Sequence, residues 1–494
     1  MKILIENGNV CSLDLPLKFA QKLYNEFAIR HPNAFYLRTR QRGMQNWDGK
    51  IHYITKTGQF KIGLLPKVYD MCIEMGIKPK VVDMRQPLPK VSKVVTNIGK
   101  YKLRPEQEKA VKAVINNKIG NTPFHIGVLD YTVNAGKTLI MSSLYLSYKK
   151  QLKTLLITND SDWLNQAREE FKQYLPGEDI TFVQGKVLNW SNFTIGMVQS
   201  ISRNMRFYQK ELSQIDMVLI DEADQGGSKQ YQNVITRLFN TRIRIGLSGT
   251  IYMSKLAKDK VKNMNLECFF GKVLAEFKLR DSIKKGYSTK TVVKMVPGKP
   301  WYGNWESDCI SYKEIYDDSI TNSYTAWLMA YSRLRWNINQ GRYPALVVCK
   351  HIAHCENLYK FFKKKLGDAY NIAYVHVNTK SKLRQQIMKD FRDGKIDILV
   401  STTIIARGKN FPKLRYLLNA ASMDSQEKSI QFLGRLVRTD KSKKKVYLDD
   451  LHYPGNYLDR HGKHRKQYYQ RQELKVILLD KLWKKHPNHS LIKS

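Results

Sequence analysis

Apolar residues along the chain recur in two rhythms. Short unbroken runs read as buried strands: Ile126 to Leu129, LLITND, NFTIGMVQSI, the IDMVLI run from Ile215 to Ile220, and RIRIGLSGT. Between them, segments such as SDWLNQAREEF carry the three-and-four spacing of a helix. Strands separated by helices predict a parallel, doubly wound α/β sheet. The same grammar returns with ALVVCK, NIAYVHV, DILVST, RYLLNAA and KKVYLDD, which predicts a second sheet.

Ahead of both, residues 15–30 show an amphipathic stripe of Leu17, Leu23, Tyr24 and Phe27, followed by strand-like IHYIT and QFKIGLLP and a helix near 67–75. This predicts a small α+β module over residues 1–90, joined through the proline-bearing linker DMRQPLPKVS. The first sheet domain is expected over 91–286, ending where the helix of LRDSIKKGYSTKTVV stops at Gly286. The second spans 287–450, and a basic extension fills 451–494. In that extension Tyr468 and Tyr469 read as packing residues of a helix, and the basic residues as a grip on phosphates.

Charge narrows the partners. Lys and Arg number 84 against 43 Asp and Glu, a formal charge of +41, which points to a polyanion. Nucleic acid is the expected partner rather than a membrane, since no apolar run approaches the roughly 20 residues that span a bilayer. No signal peptide opens the chain, so a cytosolic protein is expected, in the host's cytoplasm if a phage encodes it. The six cysteines lack a C-x-x-C pair and read as reduced thiols. Cys349, His351, His354 and Cys355 cluster in sequence, but without a second ligand pair at finger spacing they predict no metal site.

Candidate chemistry sits at two strand ends. The run from Ile126 enters a turn and leaves as a helix at Gly136-Lys137-Thr138, the tail of a P-loop. Backbone N–H groups at a helix N-terminus cradle phosphates, Lys137 adds a point charge, and the Thr138 hydroxyl suits Mg²⁺. The usual first glycine is replaced by Tyr131, and Asn134 stands where another is common; asparagine tolerates the left-handed region well enough to serve. The strand ending at Ile220 runs into Asp221-Glu222-Ala223-Asp224. In this pattern Asp221 holds Mg²⁺ through water and Glu222 polarises the attacking water, so ATP with Mg²⁺ is the expected ligand.

Further residues fit the same site. Arg104 and Gln107 lie at the start of a helix in YKLRPEQEKAV, where an amide can pair with donor and acceptor of adenine. Arg435 and Arg438, three apart on an expected helix, share a face and suit arginine fingers. The Thr250 hydroxyl, in Ser248-Gly249-Thr250, can meet the acidic motif or a nucleic-acid strand. In the N-terminal module, Arg38, Arg40, Arg42, Trp47 and Lys50 crowd one loop, able to hold phosphates and stack a base, with a purely structural Trp47 as the equal alternative.

The order LRPEQ, TVNAGKT, LIDEAD, GLSGT, VSTTIIARGKNFP, QFLGRLVR resembles that of the superfamily-two helicases. The literal Asp-Glu-Ala-Asp resembles the DEAD-box RNA helicases, but their P-T-R-E-L-A and S-A-T are replaced by ITNDSDW and SGT. NWDGKIHY followed by GLLP, and Ala135 before Gly136, are more similar to the UvsW family of phage recombination and repair helicases. That resemblance implies two tandem RecA-like parallel-sheet lobes behind a small α+β module. It implies ATP-driven translocation, unwinding of branched DNA and RNA–DNA hybrids, and branch migration. It also implies that Thr402 and Thr403 contact nucleic acid and that Gly408 and Asn410 lie at the nucleotide. Asn410 replaces the usual aspartate and brings no charge, and Val133 stands where threonine is usual. A monomer acting on branched or single-stranded DNA is expected; an RNA helicase and an ATP-gated annealing clamp are the alternatives.

Overall fold

The computed structural model of the protein describes all residues except 42, 149–150, 188, 252–259, 299–310, 407–410, 425, 441–442 and 480–494. The chain divides into two compact units, Met1–Phe277 and Lys278–Ser494. The division falls some residues before Gly286, because Val273–Phe277 closes the first sheet as its edge strand.

The first unit opens with a four-stranded sheet in the order β3-β2-β1-β4: β1 Lys2–Ile5, β2 Val10–Asp14, β3 Phe60–Lys61 and β4 Lys80–Asp83. Helices α1 Leu17–Glu26, α2 Ala34–Arg40 and α3 Leu65–Glu74, with a two-stranded antiparallel ladder of Ala28–Arg30 and Lys50–His52, complete the module. Its apolar side is continuous with the next core: Ile3, Ile5, Leu23 and Leu65 belong to one buried cluster with Ile126, Ile157 and Ile220. Polar contacts fix the same seam. Arg244, fully buried, donates to the Gly8 carbonyl at 2.6 Å and to Asn9 Oδ1 at 2.8 Å. In the proline-bearing stretch, Arg85 pairs with Asp83 and donates to the Thr241 carbonyl at 3.0 Å, and Arg242 donates to the carbonyls of Gln86 and Pro87.

Behind the module, α4 Pro105–Ile115 precedes a seven-stranded parallel sheet. Its strands are β5 His125–Tyr131, β6 Thr154–Thr158, β7 Ile180–Val183, β8 Phe193–Met197, β9 Met217–Asp221, β10 Ile243–Ser248 and β11 Val273–Phe277, in the order β7-β8-β6-β9-β10-β5-β11. The runs of β5, β9 and β10 are buried along their whole length, the expected fate of largely apolar strands covered on both faces. Helix α5 Lys137–Ser147 follows β5, and α6 Ser161–Tyr174 follows β6.

The second unit repeats the plan with seven parallel strands: β12 Lys290–Pro297, β13 Ala345–Cys349, β14 Ile372–Val375, β15 Ile398–Thr402, β16 Tyr416–Asn419, β17 Lys445–His452 and β18 Val476–Leu478, ordered β14-β15-β13-β16-β17-β12-β18. Helices α7 Tyr324–Ile338 and α8 Ile352–Leu366 contribute to its main apolar cluster; α9 Ser381–Asp393 and α10 Gln426–Leu436 precede β15 and β17. Both sheets together give the expected tandem RecA-like α/β fold behind an α+β module. The described part of the basic C-terminal stretch is built into this unit rather than left as a charged tail. Helix α11 Asn456–Arg471 buries Arg465 fully against Asp450 (2.8 Å), Tyr469 donates to Asp450 at 2.7 Å, and β18 adds an edge strand.

Candidate nucleotide-binding site

Parallel register places the site at the carboxyl edge of the first large sheet. Asp130 of β5 lies opposite Ser248, and Asp221 of β9 opposite Leu247, so the P-loop, the acidic motif and Ser248-Gly249-Thr250 leave three neighbouring strands together. Open parallel sheets bind ligands at this edge.

The P-loop takes its shape from two residues in the left-handed region, Asn134 (φ 64°) and Gly136 (φ 72°), the latter capping α5. Asparagine therefore does in this loop what a second glycine does elsewhere. Tyr131 is accommodated because it ends the strand rather than joining the loop: its ring is buried, and its hydroxyl donates to the Glu106 carbonyl at 2.7 Å. Ala135, within the loop, is buried.

Gln107 is tied to the same loop. Its Nε2 donates to the Ala135 carbonyl at 2.8 Å, and its Oε1 accepts from the Arg104 N–H at 2.8 Å. The amide expected to read adenine is thus partly engaged by protein, with one N–H and one lone pair left. A Cβ at Gly136 would come within 2.2 Å of Gln107 Nε2 and push that amide aside, and the positive φ at this position itself favours glycine.

Lys137, at the first turn of α5, has its Nζ 3.8 Å from Asp221 Oδ1. Burial pushes the Asp221 carboxyl above the usual range against the pull of Lys137. Glu222 stands in the left-handed region (φ 53°), and burial, then the charges of Asp221 and Asp224, push its carboxyl up to about 8. Asp224 accepts from Ser248 Oγ at 2.7 Å, and Ser248 and Thr250 hydroxyls lie 3.1 Å apart. Thr250 therefore belongs to the hydrogen-bonded edge of the acidic motif.

Several buried atoms around the loop have no hydrogen-bond partner among the described residues: Thr132 Oγ1, both amide atoms of Asn134, and Asp221 Oδ1. Leaving such groups unsatisfied costs about 1–3 kcal/mol each, so their concentration in one crevice fits a polar ligand. Donors, a helix N-terminus, Lys137 and carboxylates on the facing strand end are the set a nucleotide triphosphate with Mg²⁺ needs. Thr132 has no counterpart in the sequence expectation; a hydroxyl in a turn carries no pattern by itself. Asp160, buried beside the acidic motif, also escaped notice, although its position after a strand in LLITND was a signal.

The other expected residues belong to other elements. In the second unit, Thr402 is buried at the end of β15 and Thr403 opens a short 3-10 turn. Arg435 lies in the last turn of α10, whereas Arg438 lies past it. The two do not share a helix face as the spacing suggested, because the Val437 N–H closes the final turn on Leu433 and Lys443 Nζ caps the Leu436 carbonyl at 3.0 Å. Gly408 and Asn410 lie outside the described residues, as does Arg42.

In the N-terminal module, Arg38 and Arg40 are exposed, with Arg40 over the Tyr36 ring at 5.2 Å. Trp47 is half-buried; its indole N–H donates to the Lys50 carbonyl at 2.9 Å and its ring meets His31 edge-on. A cavity of about 500 Å³ lies beside them, with Arg30, Arg38 and Lys50 in its wall. Phe35 and Tyr36 were missed in the sequence, yet they are 79% and 57% exposed on α2. No group of metal-ligating side chains occurs among the described residues, and Cys349 and Cys355 are free and buried. No helix among them is long and apolar enough to cross a membrane.

The site defines a P-loop nucleotide-binding protein, and comparison with known proteins places it further. Residues 100–253 match the family model of the type III restriction enzyme res subunit, and residues 330–440 match the helicase conserved C-terminal domain; together the two cover more than half of the chain. The chain belongs to superfamily two of the ATP-dependent helicases. Among curated relatives, a candidate helicase of Sulfolobus islandicus filamentous virus is 23% identical over 72% of this chain and 64% of its own length. IRC3 of Saccharomyces cerevisiae, described as a candidate ATP-dependent helicase, is 24% identical over 71% of this chain and 51% of its own. The chain thus spans between half and two thirds of the length of these relatives. Among solved structures, the restriction-modification enzyme LlaBIII bound to DNA aligns at 15% identity with a TM-score of 0.58, over 81% of this chain and 33% of its own. S. cerevisiae Dbp5 bound to RNA aligns at 14% and 0.52, over 78% and 92%. T4 UvsW aligns over 97% of this chain and 99% of its own at 19% identity and a TM-score of 0.44.

Proposed function

We propose that the protein is an ATP-driven DNA translocase that unwinds or branch-migrates branched DNA and RNA–DNA hybrids. The observation that carries the motor reading is the nucleotide crevice itself: Lys137, Asp221 and Glu222 gathered around unpartnered polar atoms of the P-loop. DNA is preferred to RNA on the motifs that depart from the DEAD-box pattern, ITNDSDW and SGT, and on the module carrying NWDGKIHY.

This reading assigns the residue roles as follows. The P-loop N–H groups and Lys137 bind the phosphates, with Thr138 and Asp221 as the residues to hold Mg²⁺. Bound Mg²⁺ would offset the charge developing on the transferred phosphoryl group. Glu222, once ionised, accepts a proton or hydrogen bond from the attacking water. Gln107, with Arg104, orients the adenine through its remaining donor and acceptor. Arg435 and Arg438 are the arginine fingers, Gly408 lies at the nucleotide, and Asn410 is the ribose contact. Thr250, Thr402 and Thr403 face the nucleic acid, while Arg38, Arg40, Arg42 and Lys50 hold phosphates at a junction.

Steady-state unwinding of a forked DNA, a Holliday-type junction and an RNA–DNA hybrid, beside an RNA duplex of equal stability, tests the reading. Unwinding of the DNA substrates and the hybrid supports it; activity confined to the RNA duplex would replace it with an RNA helicase.

A further inference from the structure

The second unit carries a cluster of cations and aromatic rings that the nucleotide chemistry does not use. Trp336, near the end of α7, is 41% exposed. Three cations lie over its ring: Lys294 Nζ at 4.6 Å, Arg342 Cζ at 4.7 Å and Arg333 Cζ at 5.0 Å. Arg342 also lies over the Tyr447 ring at 3.6 Å, and Lys445 Nζ is 5.7 Å from that ring.

One of these charges is internally compensated. Arg333 is buried and pairs with Asp449 at 2.7 Å. Lys294, Arg342 and Lys445 form no ion pair with any described carboxylate, and Arg342 donates to the neutral Asn337 Oδ1 at 2.9 Å. Burial holds the Lys294 ammonium below its usual range, and Arg333, Arg342 and Lys445 push it the same way while Asp449 opposes them. The three cations are therefore close enough to repel one another.

Their place in the fold separates them from the motif residues. Arg342 precedes β13, and Lys445 opens β17, so both stand where parallel strands begin. Thr402 and Thr403 stand where β15 ends, at the opposite edge.

Uncompensated cations held together by aromatic faces invite an anion, because each ring fixes a side chain without neutralising it. A guanidinium stacked on a ring keeps N–H groups directed outward, a geometry that suits phosphate. We propose that this surface binds the phosphodiester backbone of a nucleic-acid strand, giving the second unit a phosphate contact apart from its motif residues. A strand fits better than an acidic protein because the exposed edge of Trp336 also offers a base a stacking partner, and the chain as a whole carries +41. The proposal requires that the chain binds nucleic acid, not that it unwinds it.

Equilibrium binding of a labelled 30-nucleotide single strand by the full chain, across a salt series and without ATP, tests it. Arg342→Ala with Lys445→Ala should shallow the log–log slope by about 1.4, about 0.7 for each lost phosphate contact. ATP hydrolysis measured without nucleic acid should stay at the wild-type rate. If the double variant melts early, Lys445→Glu alone, at an exposed position, should still weaken binding several-fold and shallow the slope. An unchanged affinity and slope in a folded variant overturns the proposal, as does a loss of polyglutamate binding with DNA binding intact. Failure of the wild type to bind any strand would instead remove the nucleic-acid reading altogether.

Discussion

The side-chain amide of Gln107 donates to the carbonyl of Ala135 at 2.8 Å, joining the start of α4 to the P-loop. One residue is thereby tied to two parts of the site, the expected adenine contact and the phosphate cradle. Gln107→Ala should raise the KM for ATP more than it lowers kcat, and should flatten the preference for ATP over GTP, since the loop loses an anchor and the base its reader. Parallel steady-state assays with both nucleotides check this; an unchanged ratio contradicts the adenine role.

Lys137 and Glu222 should separate binding from turnover. Lys137→Ala removes charge that the phosphates feel in every bound state, so nucleotide affinity should fall. Glu222→Gln keeps size and burial but cannot take a proton, so affinity should hold while turnover drops by about a hundredfold or more. Nucleotide titration beside single-turnover hydrolysis distinguishes the two outcomes; near wild-type turnover in Glu222→Gln contradicts the assignment.

The raised Glu222 carboxyl has a consequence for pH. With its value pushed up to about 8, the group is mostly protonated in the free enzyme at neutral pH, and only the carboxylate can accept from water. The quantity kcat/KM should therefore rise about tenfold per pH unit well below pH 8 and level off above it. Glu222→Gln should flatten that limb. A wild-type profile already flat from pH 6 upward contradicts the role.

Much of this site was legible in sequence because its chemistry depends on local pattern. Gly136-Lys137-Thr138 and Asp221-Glu222 each sit at a strand end, and uninterrupted apolar runs marked β5 and β9. Less legible was what depends on distant partners. Nothing local says that Arg244, near the start of β10, bonds Gly8 and Asn9 more than 230 residues away. Nor does the charge of the segment 456–471 say that Arg465 is buried on Asp450. Both are cations whose partners only the fold supplies. The end of α10 between Arg435 and Arg438 was hidden for a similar reason, since the capping Lys443 lies in the turn beyond.

The Arg244 contacts predict that the module and the first large sheet melt together. Arg244→Met should lower stability by about 1–3 kcal/mol for each acceptor left unpaired, the carbonyls of Gly8 and Phe269 and Asn9 Oδ1. Chemical denaturation of residues 1–277 as a fragment is less direct than denaturation of the full chain followed by Trp fluorescence and limited proteolysis. A stability loss accompanied by cleavage within residues 1–90 supports the coupling; an unchanged midpoint contradicts it.

Arg438 should matter for turnover and little for grip. Arg438→Ala should cost about a thousandfold in hydrolysis if it neutralises charge in the transition state. DNA affinity measured without nucleotide should remain near wild type. Equal loss of both would move the arginine to the nucleic acid.

The coupling of ATP hydrolysis to nucleic acid tests the central claim most directly. Steady-state hydrolysis should be slow in the protein alone, rise at least tenfold with forked DNA, and remain low with Glu222→Gln on the same DNA. Hydrolysis that is indifferent to DNA and to every other nucleic acid offered would contradict the motor and leave a nucleotide-gated binding protein in its place.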